Sequence, residues 1–351
     1  MIQSFSLDVS VSVGEATTVL WIGGILLDSV EWFLDHIFSA VMNVLADLLG
    51  TPMLGYPYMQ RAYLAAVCIA VIGPVVGTFL VHREMAMIGD TLAHTAFAGV
   101  AVGLFLNSVL SLTLSPLLTA FVVAVVTALL VELLVDYAGA YRDTSLAIVL
   151  TGGFAVGSIL ITATDGGIAV GIDAYLFGSL ATVSTENVGI LVLMSVIVGS
   201  LVTLAYRPLL YVTFDATAAR AARLNVRLYK RLMIVLTALV VVSAMQIMGV
   251  ILVAAMLVVP VAAAAQLAGS FKKSILLAIL AAEFAAIAGV TLSYVYGIAA
   301  GGSIVVAAIA VYAVALGVQK LAHRLPTVRP LSSLRARQPR DGLEVDGGER
   351  E

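Results

Sequence analysis

Residues 231–269 read RLMIVLTALVVVSAMQIMGVILVAAMLVVPVAAAAQLAG. After Arg231 the run carries no charge, and it is nearly twice the roughly 20 residues that one bilayer crossing needs. At 1.5 Å of rise per residue it must double back, and Gln246–Gly249 is the polar, glycine-containing spot where a turn is expected. Two apolar helices in succession are therefore predicted from this stretch alone. The rest of the chain repeats the pattern. Of 351 residues, 62% are hydrophobic and 11% charged, with a mean hydropathy of +1.10, whereas a soluble domain carries roughly 25% charged residues. These values exclude a water-soluble globular protein, a disordered chain and a nucleic-acid-binding domain. Apolar runs at 60–81, 89–111, 114–136, 144–163, 186–206, 231–249, 250–269, 274–296 and 302–322 predict an all-α polytopic membrane protein of about nine transmembrane helices.

Basic residues assign the sides. Residues 1–60 hold no Lys or Arg. The connections then carry Arg83, none, Arg142, none, a group from Arg207 to Arg231, none, Lys272 with Lys273, none, and a basic tail from Lys320. Alternate connections are positive, which places the N-terminus outside and the C-terminus in the cytosol. Arg61, at the outer end of the first helix, is the exception. Residues 17–50 are apolar too, but Asp28, Glu31 and Asp35 share one helical face opposite Trp21, Ile25 and Leu34. Three carboxylates are costly at the bilayer centre, so residues 1–55 are expected to form an external amphipathic segment, with a tenth crossing as the alternative. Residues 56–322 form the transmembrane domain, and 323–351, rich in charge, Pro and Gly, a disordered cytosolic tail. No positive region precedes the first apolar stretch, so no signal peptide is expected.

Few residues are left to carry chemistry. Gly89-Asp90-Thr91-Leu92-Ala93-His94 opens the second helix, and the spacing of four stacks Asp90 and His94 on one face. A carboxylate with an imidazole suits Zn²⁺, Mn²⁺ or Fe²⁺; the alternative is that Asp90 caps the helix and His94 bonds a neighbouring one. Glu283 is the carboxylate set deepest in a span, either a path residue or a protonated packing residue. Asp165 and Asp173 make the external loop 164–185 acidic and free of basic residues. His36, His82 and His323 read as solvated or interfacial, and Glu132 and Asp136 as reaching water at a helix end. The lone Cys68 excludes an intrachain disulfide or a thiolate cage. The basic loop Thr213–Leu228 predicts a short helix capped by Asp215, suited to a protein partner or anionic lipid. No phosphate-binding loop, HExxH or GxSxG occurs, so any ATP use belongs to another polypeptide.

Several segments together resemble the metal-ion permease family of ABC transporters, in its zinc-uptake branch. They are Tyr58–Ala62, Arg83–His94 with Gly99–Gly103, Asp143–Ala147, Asp173–Gly178, Gly249–Ala264 and Ala300–Val306. They run in collinear order over about residues 56–322. The resemblance implies the membrane subunit of an ATP-driven divalent metal importer, zinc above manganese or iron, because Gly-Asp-Thr-Leu-Ala-His lacks a following Pro. An ion-coupled secondary transporter using Glu283 and Asp90 is the alternative from another class. The resemblance further implies a homodimer, cytosolic ATP-binding subunits and an extracellular metal-binding protein. It puts Asp90 and His94 on the translocation path as a transient metal site, with Asp173 and Glu283 as possible path acids. Phe214, Asp215, Ala218, Arg220 and Arg223 fall where the family couples to its ATPase. The chain departs from the family pattern at Gly297 and Ala299, where an acid and a proline are usual. It departs again at Ala147, where Gly is usual, and at Leu224-Asn225-Val226, where Gly-Val is typical.

Overall fold

The computed structural model describes residues 28–110, 114–137, 141–163, 175–178 and 183–324. In chain order its helices are α1 (Asp28–Leu49), α2 (Pro57–His82), α3 (Met87–Leu110), α4 (Pro116–Tyr137), α5 (Arg142–Thr162), α6 (Thr185–Leu204), α7 (Tyr206–Phe214), α8 (Ala216–Ala221), α9 (Val226–Met248), α10 (Val250–Ala265), α11 (Phe271–Tyr296) and α12 (Ala300–Arg324). Among the described residues no strand occurs, and nine helices are long and apolar enough to cross a membrane: all but α7, α8 and α10. The chain is a multi-pass protein of the cell membrane.

The tally of nine matches the sequence reading, but one member is exchanged. The run expected at 250–269 yields only the 16 residues of α10, about 24 Å of helix against a hydrocarbon core of about 30 Å. Gly249 ends it on one side (φ 83°) and the turn after Gln266 on the other. Its shortness is tolerated because α2, α3, α11 and α12 surround it. In its place α1 forms one 22-residue helix, continued through a π-helical turn at Leu34–Phe38. Asp28, Glu31 and Asp35 are exposed, and only Leu34 and Met42 of α1 are buried. The expectations for residues 1–27, for most of the tail and for Asp165 and Asp173 lie outside the described residues.

Burial ranks the helices. The apolar window of α2 is 72% buried and that of α9 61%, against 22% for α4 and α5. With α10 they form the centre of the bundle. Close approaches between helices fall at glycines. A Cβ on Gly77 would collide with the Leu257 carbonyl of α10. One on Gly99 would meet Ala120 Cα of α4 at 2.6 Å, and one on Gly103 would overlap Thr119. One on Gly153 of α5 would meet Thr95 of α3 at 2.6 Å, and Gly157 approaches Ala98. Helix α3 is thus held against α4 on one side and α5 on the other.

The long run quoted above turns at Gly249, as its composition predicts. Gly178 (φ 74°) and Gly301 press against the Met248 carbonyl there, so the turn is packed between segment 175–178 and the start of α12. Arg61 lies at the same end of the bundle. Its guanidinium donates to the carbonyl of Val183 at 3.2 Å and to Thr185 Oγ1 at 3.5 Å. That bond ties α2 to the start of α6 and accounts for a cation on the side otherwise free of them.

Candidate functional site

Helix α2 ends in a six-residue closure rather than fraying. Met85 N–H donates to the Leu80 carbonyl at 2.9 Å and Glu84 N–H to the Val81 carbonyl at 3.1 Å, with Glu84 in the left-handed region at φ 57°. This closure leads directly into α3, whose first turn carries Asp90. One turn further, His94 Nε2 lies 3.5 Å from Asp90 Oδ1. Asp90 is 44% exposed and His94 23%. His94 Nδ1 is buried and meets no hydrogen-bonding atom. What orients the imidazole is aromatic: Phe154 of α5 stands edge-on to it at 5.5 Å and stacks on Phe97 of α3.

The pair therefore offers a carboxylate and an imidazole on an open face of α3, with neither side chain engaged by a capping or interhelix hydrogen bond among the described residues. Such a donor set suits a borderline or hard divalent cation, and no thiolate joins it, since Cys68 sits on α2. Among the described residues no group of three or more His, Cys, Asp or Glu comes together. Among the described residues the pair thus offers two potential donors, with no third His, Cys, Asp or Glu beside them. Glu283 stands apart on α11, half-buried, on a helix whose main neighbours are α12, α2 and α10.

The basic segment folds as its composition predicts. Asp215 caps α8, accepting from Thr217 N–H at 2.8 Å and Ala218 N–H at 2.9 Å. These two bonds hold its carboxyl below the usual carboxylate range. Arg220 donates to Thr217 Oγ1 at 3.1 Å, and Arg223 closes α8 with φ 61°, its neighbour Leu224 donating to the Ala219 carbonyl. Asn225, standing where the family pattern has glycine, caps α9 by accepting from Leu228 N–H at 3.2 Å. Phe214, just before Asp215, is exposed, as are Ala218, Arg220 and Arg223.

Two residues expected to reach water or the interface also find partners within the bundle. Glu132 Oε2 accepts from Arg231 Nε at 3.4 Å and is only 16% exposed, so it joins α4 to α9. His82 closes α2 with Nδ1 at 2.8 Å from the Thr78 carbonyl and lies against the ring of Phe271. Both are paired with segments remote in sequence, which no local pattern of charges could have signalled.

Residues 55–319 match the ABC 3 transport family. The chain belongs to that family. It is 33% identical over 265 residues, 75% of this chain and 88% of the relative, to the manganese transport system membrane protein MntC of Halalkalibacterium halodurans. It is 29% identical over 259 residues, 74% of this chain and 90% of the relative, to the manganese import system permease protein ScaB of Streptococcus gordonii. Among solved structures, PsaBC from Streptococcus pneumoniae in complex with Fab superimposes with a TM-score of 0.69 at 28% identity, covering 77% of this chain and 95% of that one. A putative metal-chelate type ABC transporter in an inward-facing conformation shares the fold at 17% identity and a TM-score of 0.59. The family expected from the sequence motifs is therefore established, and the chain is a permease component of a metal-transporting ABC system. The relatives' names point to manganese where the short motif around His94 pointed to zinc.

Proposed function

We propose that this chain is the membrane permease of an ATP-driven importer of Mn²⁺. The observation that carries the reading is the open Asp90–His94 pair, with its unpartnered buried Nδ1, in a chain aligned along its membrane region with permeases named for manganese. An oxygen and an imidazole donor without a thiolate fit Mn²⁺ well; the missing Pro that favoured zinc is a weaker argument than the relatives. Two copies of the chain form the transporter, and each contributes Asp90 and His94 to a shared site that one copy leaves incomplete. An extracellular metal-binding protein delivers the ion at the end of the bundle that holds Arg61 and Gly249. Cytosolic ATP-binding subunits engage Phe214, Asp215, Ala218, Arg220 and Arg223 at the basic end, and their closure opens the path inward. Few ligands and partial exposure suit a cargo that must leave. Asp173 and Glu283 act as accessory acids along the path.

The test is uptake in vesicles containing the permease, its ATP-binding subunits and its binding protein. Mn²⁺ uptake should require ATP and outcompete Zn²⁺ and Fe²⁺. Preference for Zn²⁺ would restore the zinc assignment, and uptake driven by a proton gradient without ATP-binding subunits would replace the mechanism with ion-coupled transport.

A further inference from the structure

A second constellation lies at the basic end of the bundle, away from Asp90 and His94. Phe271, the first residue of α11, sits among aromatic rings from two other elements. Its ring centroid is 5.0 Å from Phe79 and 5.1 Å from His82, both on α2. It is 6.4 Å from Tyr206 and 5.6 Å from Phe214, which open and close α7. His82 also meets Phe214 edge-on at 6.0 Å, and Phe79 meets Tyr206 at 6.2 Å. Most of these contacts are edge-to-face, the arrangement that ring quadrupoles favour. The cluster runs from the fully buried Phe79 to Phe214, which is 62% exposed.

Four of its members stand at helix ends: Tyr206 opens α7, Phe214 closes it, Phe271 opens α11 and His82 closes α2. Phe214 is adjacent to Asp215, the cap of α8. His82 leads into the Arg83–Ala86 turn and from there into the first turn of α3. Among the described residues, the non-glycine positions with positive φ are Glu84 and Arg223; one closes α2 and the other closes α8. Left-handed non-glycine residues persist only where their surroundings hold them, and they gather at switch regions. Close-packed contacts respond to displacement by changing arrangement rather than by stretching. A shift of α7–α8 therefore cannot occur without moving Phe271 and His82.

We infer that this aromatic cluster carries displacement of the α7–α8 segment into α2 and, through the Arg83–Ala86 turn, into the helix that holds Asp90 and His94, with Phe271 as its central positioning residue. The inference rests on the proposed function only in taking ATP-binding subunits as the source of the displacement.

The experiment uses the full transporter in vesicles, with Cys68→Ser and Met87→Cys so that a maleimide reports on the exposed start of α3. Trapping the ATP-binding subunits with ATP and vanadate is expected to change the labelling rate about tenfold. With Phe271→Ala the change should fall to about twofold or less, while the subunits stay bound and hydrolyse ATP. Phe271→Trp should restore the response. Phe271→Leu keeps an apolar side chain without a ring, and should also lose the response if the alanine variant does not assemble. A response like that of the wild type in Phe271→Ala or Phe271→Leu overturns the inference, as does a labelling rate indifferent to nucleotide when Phe271 is present. Mn²⁺ uptake by the same vesicles tests the proposed function separately: an intact nucleotide response without Mn²⁺ uptake refutes the cargo and leaves the linkage standing.

Discussion

Replacing Asp90 with Asn separates a cation-holding role from a structural one, because the two roles predict losses of different size. The structural loss follows from position. Asp90 lies in the first turn of α3, where the helix dipole favours a carboxylate by about 0.3–1 kcal/mol. Its pairing with His94 at 3.5 Å is worth about 0.3–0.5 kcal/mol at most, and only with a protonated imidazole. With Asp90 44% exposed and His94 23%, solvent screening moves both figures to their lower ends. Asp90→Asn should therefore cost about 1 kcal/mol or less, a fall in melting temperature of about 2–4 °C at most for a chain of this length. The transport loss should be far larger. Removing groups that merely orient a metal ligand costs about 10–100-fold, so losing the ligand itself should weaken Mn²⁺ handling by at least about 100-fold, equivalent to about 2.7 kcal/mol. Both quantities are measurable on one preparation, by Mn²⁺ uptake in reconstituted vesicles and by thermal unfolding in detergent. Asp90→Asn with uptake within about threefold of wild type but a melting temperature lowered by many degrees would falsify the assignment and make Asp90 a structural residue.

Three further outcomes are expected. Gly77→Ala forces α2 and α10 apart at the Leu257 backbone and should cost about 1–3 kcal/mol or more, seen as lost folded yield; Gly152→Ala, with open space around it, should behave as wild type, and equal damage from both would refute the seam. Glu84→Gly relieves a left-handed non-glycine residue (φ 57°) and should raise stability by about 1 kcal/mol, a gain that thermal unfolding would register. Asp215 has a carboxyl pKa lowered from 3.8 by the amides it caps, so its contribution to α8 is fully present above that value and is lost as pH falls through the lower folded one. Hydrogen exchange at Thr217 and Ala218, corrected for intrinsic rates, should thus stay constant down to about pH 5 and lose protection in stronger acid. Asp215→Asn should abolish that acid-dependent loss, and its persistence in the variant would assign it elsewhere.

The fold was legible wherever a property belonged to one contiguous stretch. Apolar length located the helices to within a few residues, and the glycine at 249 marked the turn. The spacing of Asp90 and His94 placed both on one face of α3, as a helical period must. Misreadings arose where remote segments supply the partner. The length of α10 was invisible because an apolar run looks alike whether lipid or other helices surround it. Arg61 looked like an exception to charge asymmetry until the Val183 carbonyl came within reach of its guanidinium. The partners of Glu132 and His82 were hidden for the same reason. Asn225 broke the family pattern in a loop, and its role became plain only once α9 began beside it. Of the candidate site, the shared face of Asp90 and His94 was readable, but the uncommitted Nδ1 of His94 and the ring of Phe154 from α5 beside it were not.

The glycine seams divide the bundle by what can slip. Helices α3, α4 and α5 approach closely at Gly99, Gly153 and Gly157, against the Ala120 backbone, Thr95 and Ala98 with the Phe97 ring, and α2 meets the α10 backbone at Gly77. So close a fit leaves little room for the helices of one set to shift against each other, and each set is expected to move as one slab. Between the slabs the contact at Gly89 is of another kind: the nearest atom to it is the terminal methyl of Leu257, Cδ1, at 2.7 Å from where a Cβ would stand. The same leucine thus presents a stiff carbonyl to Gly77 and a pliant methyl to Gly89. Shear between the two slabs is expected to be cheapest along that methyl, and the face that carries Asp90 and His94 belongs to the slab of α3, α4 and α5.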